Sequence, residues 1–309
     1  MVVPKNIGDT VNGRTSEKQP SISADGSTLY FSSNRPGGKG EMDIWVTQKD
    51  QQGKWGEPKN LGDSINTSGN EISPFIHPDN QTLYFSSDEH FGLGGFDIFL
   101  SRKNAAGQWQ SPENIGFPIN GMGDEISLFV NALGNKAFFA TSPKHNENKD
   151  IYWFGLPKDK QPVPVSYMKG RVYNAETYEY LSAAFNLVNL HTNDTVNKSK
   201  SKLGSGEFLV CLPSNTEYAL NVSKTGYLFY SQHFELIGEH GQLAPFLLDI
   251  PLSPIEEGAR IVLNNIFFET DSFRLDHKSV VELSYIVNFL KSKQKHFNRD
   301  RGAYRQHRR

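Results

Sequence analysis

Glu17–Ser33 reads EKQPSISADGSTLYFSS and Glu71–Ser87 reads EISPFIHPDNQTLYFSS, one pattern stated twice at an offset of 71 − 17 = 54 residues. The offset persists on both sides of the stretch. Asp43-Ile44-Trp45 returns as Asp97-Ile98-Phe99, Trp55 as Trp109, Pro58 as Pro112, Asn60 as Asn114, and Ile65-Asn66 as Ile119-Asn120. A third copy opens at Glu125, sets Ala137-Phe138-Phe139 where the second has Leu83-Tyr84-Phe85, and reaches Asp150-Ile151-Tyr152 one residue early. Traced backwards, Pro4-Lys5-Asn6-Ile7-Gly8-Asp9 matches Pro58-Lys59-Asn60-Leu61-Gly62-Asp63, so the chain opens inside a repeat.

Each copy predicts short strands. In the first, Ser21 to Ser23 is a strand and Asp25-Gly26 a tight turn whose glycine tolerates positive φ. Thr28 to Ser33 and Met42 to Gln48 follow as strands, built from β-branched and aromatic residues that suit a pleated surface. Glycine-rich Pro36–Gly40 and Gly92–Gly95 join the second strand to the third. A fixed period near this length, filled with short strands, is the signature of a β-propeller blade. It predicts a partial propeller of about three blades over residues 17–156, with 1–16 as the end of a truncated blade. Asp25, Asp79, Asp43, Asp97, Asp150, Trp55 and Trp109 stand out as repeat positions. Every blade must fold, so their recurrence argues for structure: hydrogen bonds between strands for the acids, packing of blade on blade for the Trp rings. Calcium ligation through oxygen by Glu17, Glu71 and Glu125 with Asp43, Asp97 and Asp150 is the chemical alternative. PSISADGSTLYFSS, PFIHPDNQTLYFSS and the following DIW and DIF resemble the WD40-like (PD40-type) propeller repeats of bacterial periplasmic proteins. The resemblance spans about half the chain and implies a binding platform. Three blades fall short of the roughly four to eight that close a propeller, which implies further N-terminal residues and an open sheet edge.

The 309 residues suffice for two or three domains with their own cores. The formal charge of −2 hides an asymmetry. From Lys291 onward there are eight Lys or Arg and one acid, which leaves 24 basic against 33 acidic residues, or −9, in the body. Cys211 is the sole cysteine, so an intrachain disulfide and a CxxC metal or redox site are excluded. Met1–Arg14 lacks an apolar signal core, and no run approaches the ~18 apolar residues of a membrane span.

Pro157, Pro162 and Pro164 mark residues 157–164 as a linker. Beyond it, short alternating strands with frequent turns predict a small antiparallel sandwich over 165–253. Gly170-x-Val172-x-Asn174, Gly206-Glu207-Phe208, Tyr218-x-Leu220-x-Val222 and Lys224-x-Gly226-Tyr227 resemble the carboxypeptidase-regulatory-like domain. That family is non-catalytic and implies a spacer or interaction module. Cys211 alternates with Val210 and Leu212 as a small packed side chain, and His191 and His233 are too far apart in sequence to define a ligand pair.

Residues 258–290 predict a strand and then a helix. Leu283, Ile286, Val287 and Leu290 fall at i, i+3, i+4 and i+7, one apolar helical face. Asp276 is an N-cap candidate, and Ser279 with Glu282 a capping box one turn later. LNNIFFETDS followed by LDHKSVVEL resembles the opening strand and first helix of the OmpA-like C-terminal domain, a peptidoglycan-binding α/β module. Propeller, sandwich and OmpA-like domain in this order resemble outer-membrane-associated proteins of the Bacteroidetes type, some linked to type IX secretion or envelope anchoring. The resemblance implies a periplasmic location beside the outer membrane and a tether to peptidoglycan in a full-length relative. The family's binding motifs, a G-H-T-D-like aspartate and a later arginine, are absent here. Residues 291–309 form a basic tail without apolar period. Lys295–Arg309, written in suitable codons and read from the second nucleotide, becomes NISIEIGAHTDNIG, so a shifted frame and a disordered tail are expected. Its two aromatics, Phe297 and Tyr304, are too few for a stacking platform, and no nucleic-acid partner is expected.

No G-x-S-x-G elbow, P-loop, G-x-G-x-x-G fingerprint or H-E-x-x-H occurs. The expectation is therefore mainly β: a partial propeller, a sandwich and a strand–helix fragment, in a non-enzymatic envelope protein without cofactor or transmembrane segment. Its platform would engage an envelope protein or glycan. The competing class is the propeller portion of a hydrolase or peptidase whose catalytic domain lies elsewhere.

Overall fold

A computed structural model describes residues 3–50, 52–142, 148–236, 244–256, 258 and 260–291. The chain divides into two compact units, residues 1–166 with 211–213, and 167–210 with 214–309.

The first unit repeats one sheet. β1 (Glu17–Ile22), β2 (Thr28–Ser33), β3 (Asp43–Gln48) and β4 (Lys59–Asn60) form an antiparallel sheet in chain order. β5 (Glu71–Ile76), β6 (Thr82–Ser87), β7 (Asp97–Arg102) and β8 (Glu113–Asn114) form a second. The third has three strands, β9 (Glu125–Val130), β10 (Lys136–Thr141) and β11 (Asp150–Gly155), with β11 at its edge. Register repeats with the sequence: Trp45 stands opposite Asn60 as Phe99 stands opposite Asn114.

Strand alternation sends Leu29 and Phe31 to one side of the first sheet and Tyr30 to the other. Between the first and second sheets, Tyr30, Ile44 and Ile65 meet Ile76, Leu83, Phe85 and Phe99. Between the second and third, Tyr84, Ile98 and Ile115 meet Leu128, Val130, Ala137 and Phe139. Each fully buried side chain of this size contributes about 1.5–3 kcal/mol. Polar bonds lock the seams in the same repeat. The Glu71 N–H donates to the Met42 carbonyl at 2.6 Å, as the Glu125 N–H does to that of Phe96 at 2.6 Å.

The fold class expected from the period is corrected here. The unit is a stack of separate antiparallel sheets, first on second and second on third, and no closed propeller forms. Periodicity specifies how each sheet packs on the next. Closure needs a further seam between the last sheet and the first, and the residues that would build it stand exposed on the third sheet. Residues 157–164, expected as a linker, hold a short 3-10 turn, Lys158–Lys160. They lie along the first unit: the Tyr84 hydroxyl donates to the Lys160 carbonyl at 2.7 Å, and the Val163 N–H to Asp79 at 3.0 Å.

In the second unit, β12 (Val165–Asn174) pairs with β15 (Glu207–Pro213) and, in parallel, with β18 (Phe246–Leu247) and β19 (Ile250–Leu252). The other sheet runs β14 (Thr195–Lys200), β13 (Ala184–Asn189), β16 (Glu217–Ser223), β17 (Tyr230–Glu235), antiparallel throughout. Phe185, Leu187, Leu220 and Val222 on this sheet, and Met168, Val172, Phe208 and Val210 on the other, are buried. Phe185 meets Phe208 edge to face at 5.0 Å. Gly170 is required: a Cβ there would overlap the Leu248 carbonyl.

The strand expected at the start of the OmpA-like fragment is not formed. Residues 261–267 carry no ladder, and Phe268 and Leu275 make an isolated bridge. The helix is present over 279–291. Asp276 Oδ1 accepts the Lys278 N–H at 2.9 Å at its start. The capping box is replaced: the Ser279 hydroxyl exchanges bonds with the Phe267 backbone, while Glu282 is buried against Ser231 and Asn265. The helix packs through Val281 on Val188, Leu190 and Ala219, and Leu283, Val287 and Leu290 of the expected core face are exposed. Of the basic tail expected over 291–309, Lys291 ends the helix, and residues 292–309, with the shifted-frame reading of 295–309, lie outside the described residues.

Candidate interaction surface

The repeat gives a direct test of which positions a seam should bury. Ile44 and Ile98 are each 0% exposed, yet their counterpart on β11, Ile151, is 81% exposed. Leu100 is 1% exposed and its counterpart Trp153 is 64% exposed. Phe129 is exposed and Phe138 half-buried on the same face, where Phe75 and Tyr84 of the second sheet are sheltered by the third. Clustered exposed aromatics on one sheet face mark an interaction site more than a solvated surface. The Lys136 ammonium lies 4.0 Å from the Trp153 ring centroid and 5.2 Å from that of Phe138, so the face carries a cation over aromatic rings. At its rim Lys149 pairs with Asp124 at 3.1 Å. Burial raises the Asp124 pKa, but the Phe96 N–H and Lys149 outweigh it and hold the carboxyl below 3.8.

β11 is also an open edge. In the first two sheets the third strand is paired by a two-residue fourth strand, and then by a side chain. Asn66 Oδ1 accepts the Ile44 N–H at 2.8 Å and its Nδ2 donates to the Ile44 carbonyl at 3.0 Å. Asn120 does the same for Ile98, at 2.9 and 2.8 Å. Among the described residues no fourth strand pairs β11.

The sequence-derived positions fall as follows. Asp43 and Asp97 are buried and accept backbone N–H groups of the glycine loops: Gly40 to Asp43 at 3.1 Å, Leu93 and Gly94 to Asp97 at 2.7 and 3.1 Å. A Cβ on Gly38 or Gly92 would overlap these carboxylates. Asp25 and Asp79 staple the β1–β2 and β5–β6 turns. Asp79 takes bonds from Gln81, Thr82 and, through Thr82, a hydroxyl, each at 2.9 Å. Burial raises both pKa values, but these hydrogen bonds, with His77 beside Asp79, bring both below 3.8. Asp150 is exposed at the start of β11. Trp109 joins the first seam, edge to face with Tyr30 at 6.1 Å, and Trp55 packs with Leu29, Phe31 and Trp45.

Glu71 and Glu125 each accept from the last residue of the neighbouring strand, Ser87 at 2.7 Å and Thr141 at 2.8 Å. No group of three or more His, Cys, Asp or Glu is arranged for a metal among the described residues. No helix among them is long and apolar enough to cross a membrane. Sequence reading missed the face formed by Phe129, Phe138, Ile151 and Trp153. Its signal was available: Pro-x-Asn-x-Gly recurs at residues 4, 58 and 112, and no copy follows β11.

No protein-family model matches the chain, and no curated protein does. Among solved structures, the shaft pilin SpaA of Lactobacillus rhamnosus GG is 15% identical over 52% of this chain and 75% of its own, with a TM-score of 0.23. The pilus 2b backbone protein of group B streptococcus is 13% identical over 79% and 99%, at 0.27. Hydrazine synthase of Kuenenia stuttgartiensis is 11% identical over 83% and 47%, at 0.33. Scores of this size assign the chain to none of these proteins.

Proposed function

We infer that this chain is a non-enzymatic cell-envelope protein, with the stacked sheets as its interaction platform and residues 258–290 as the remnant of a peptidoglycan-binding anchor. The observation that carries the platform is the exposure of Ile151, whose counterparts Ile44 and Ile98 are fully buried, and of Trp153, whose counterparts are the half-buried Val46 and the buried Leu100. Leaving such a face in water forfeits about 1.5–3 kcal/mol per large side chain, which a partner recovers. The anchor part rests on the resemblance of LNNIFFETDS and LDHKSVVEL, and residues 1–309 hold no G-H-T-D-like motif.

Fractionation of cells producing the full chain tests the platform. Wild type is expected in the envelope fraction, and Ile151→Asp with Trp153→Ser in the soluble fraction. Equal distribution of the two proteins would overturn it. Co-sedimentation with purified sacculi should recover no chain above background, and specific binding there would return the anchor to function.

A further inference from the structure

The two ends of the first unit hold complementary halves of one seam. At the N-terminal end, residues 4–12 read PKNIGDTVN, against PKNLGDSIN at 58–66 and PENIGFPIN at 112–120. The segment is already folded like its counterparts. Asn6 Oδ1 accepts the Gly8 N–H at 2.8 Å and the Asn12 amide at 3.0 Å. Asn60 takes the same bonds from Gly62 and Asn66 at 2.8 and 2.9 Å, and Asn114 from Gly116 and Asn120 at 2.8 and 2.7 Å. Val11 is buried against Leu29, Phe31 and Trp45, as Ile65 is buried in the first seam. What differs is the partner. Lys59–Asn60 and Glu113–Asn114 each close a sheet as its fourth strand, whereas Lys5 and Asn6 are exposed and belong to no strand. At the other end β11 is the edge that lacks that strand among the described residues.

We propose that residues 4–12 of one copy complete the third sheet of a second copy. The repeat dictates the register. Trp45 opposite Asn60 and Val46 opposite Lys59 set Tyr152 opposite Asn6 and Trp153 opposite Lys5 of the neighbour. The Asn12 amide of the neighbour then brackets the Ile151 N–H and carbonyl, as Asn66 brackets Ile44. Adding a strand to an open edge supplies main-chain bonds, and Ile7 of the neighbour covers Ile151 as Leu61 and Ile65 shelter Ile44. The contact joins two different surfaces, so copies associate head to tail. This deepens the platform reading and rests on it, naming the partner of the β11 face as a second copy.

Two full-length variants, each also carrying Cys211→Ser, test the register: Lys5→Cys and Trp153→Cys. Facing residues of an antiparallel pair lie within disulfide reach. Oxidising the mixture should give a linked heterodimer, and neither variant alone should link. No linked species in the mixture at the highest soluble concentration would overturn the proposal, and so would self-linking by the Trp153→Cys protein, which indicates a symmetric face-to-face pair. By sedimentation, the unmodified chain should gain mass with concentration, and Asn12→Ala should weaken association about tenfold through loss of two hydrogen bonds. A synthetic PKNIGDTVN peptide should disperse the assemblies, and an Asn-to-Ala form of its last residue should not. A chain that stays monomeric while its envelope retention still depends on Ile151 and Trp153 refutes self-association and leaves the platform standing.

Discussion

Single carboxylates and amides hold the turns of the first unit, and the energy of each depends on being buried with its donors. Asp79 shows the sign of the effect. The residue is 5% exposed, and burial alone would raise its pKa. His77 beside the carboxylate and the bonds donated by Gln81 and Thr82 reverse that, so the folded-state value lies below 3.8. A carboxyl whose pKa is depressed by folding adds stability above its unfolded value, and that stability is lost as the pH falls through the folded value. At pH 7 Asp79→Asn should therefore lower the stability of the first unit by about 1–3 kcal/mol, since several buried N–H groups lose a charged acceptor. In urea unfolding followed from pH 7 downward, the gap between wild type and Asp79→Asn should narrow once the pH drops below 3.8. A gap of constant size would mean that the carboxylate's charge contributes nothing and that the substitution acts through packing.

Among the elements, the strands of the repeat and the presence of the helix were legible, and the face that the helix buries was not. TLYFSS at 28–33 and 82–87 falls on β2 and β6 residue for residue, because alternation and aromatic content are properties of the strand itself. The open edge was legible from the count of three copies, but the class of the stack was not. Leu83-Tyr84-Phe85 states which side chains face the preceding sheet and which the following one, and any stack of such sheets shares that pattern. The helix over 279–291 shows a second limit. Leu283, Ile286, Val287 and Leu290 form a stripe that reads as a core face, yet Leu283, Val287 and Leu290 point to solvent, and Val281 and Glu282 are buried. The cause lies on the sheet beneath. Asn186, Asn221 and Ser231 stand opposite one another across β13, β16 and β17, a polar row to which an apolar stripe has nothing to offer. Ser231 and Asn265 instead hold the Glu282 carboxylate at 2.5 and 2.8 Å, and Tyr285 bonds Asn186. Partner choice, absent from a helix's own periodicity, decided its orientation. Val287→Lys should then change the stability of the second unit by no more than about 0.5 kcal/mol, whereas Val281→Ala should cost about 1–2 kcal/mol. The reverse ranking in a denaturant series would show that the stripe is the buried face in solution.

At the scale of the whole molecule, each unit has its own core and its own hydrogen-bond logic. The first unit's seams are built from Tyr30, Ile44, Leu83 and Ile98 and closed by Asn66 and Asn120, and the second unit's core from Phe185, Leu187 and Phe208. A compact body with a complete core unfolds cooperatively as a unit. Two such bodies in one chain give two transitions, and a substitution in one core acts on one of them when no contact is shared. Asn66→Ala removes both side-chain bonds to the Ile44 backbone and leaves the buried N–H unmet, while the carbonyl keeps the Leu61 N–H at 3.1 Å, which should cost about 1–3 kcal/mol. Leu187→Ala opens a cavity in the sandwich, with an expected cost of about 2–5 kcal/mol. Calorimetry of the full-length variants should show Asn66→Ala lowering one melting transition and Leu187→Ala lowering the other. A single transition moved by both substitutions would mean that the two cores melt as one, and the stacked sheets would then not be an independent platform.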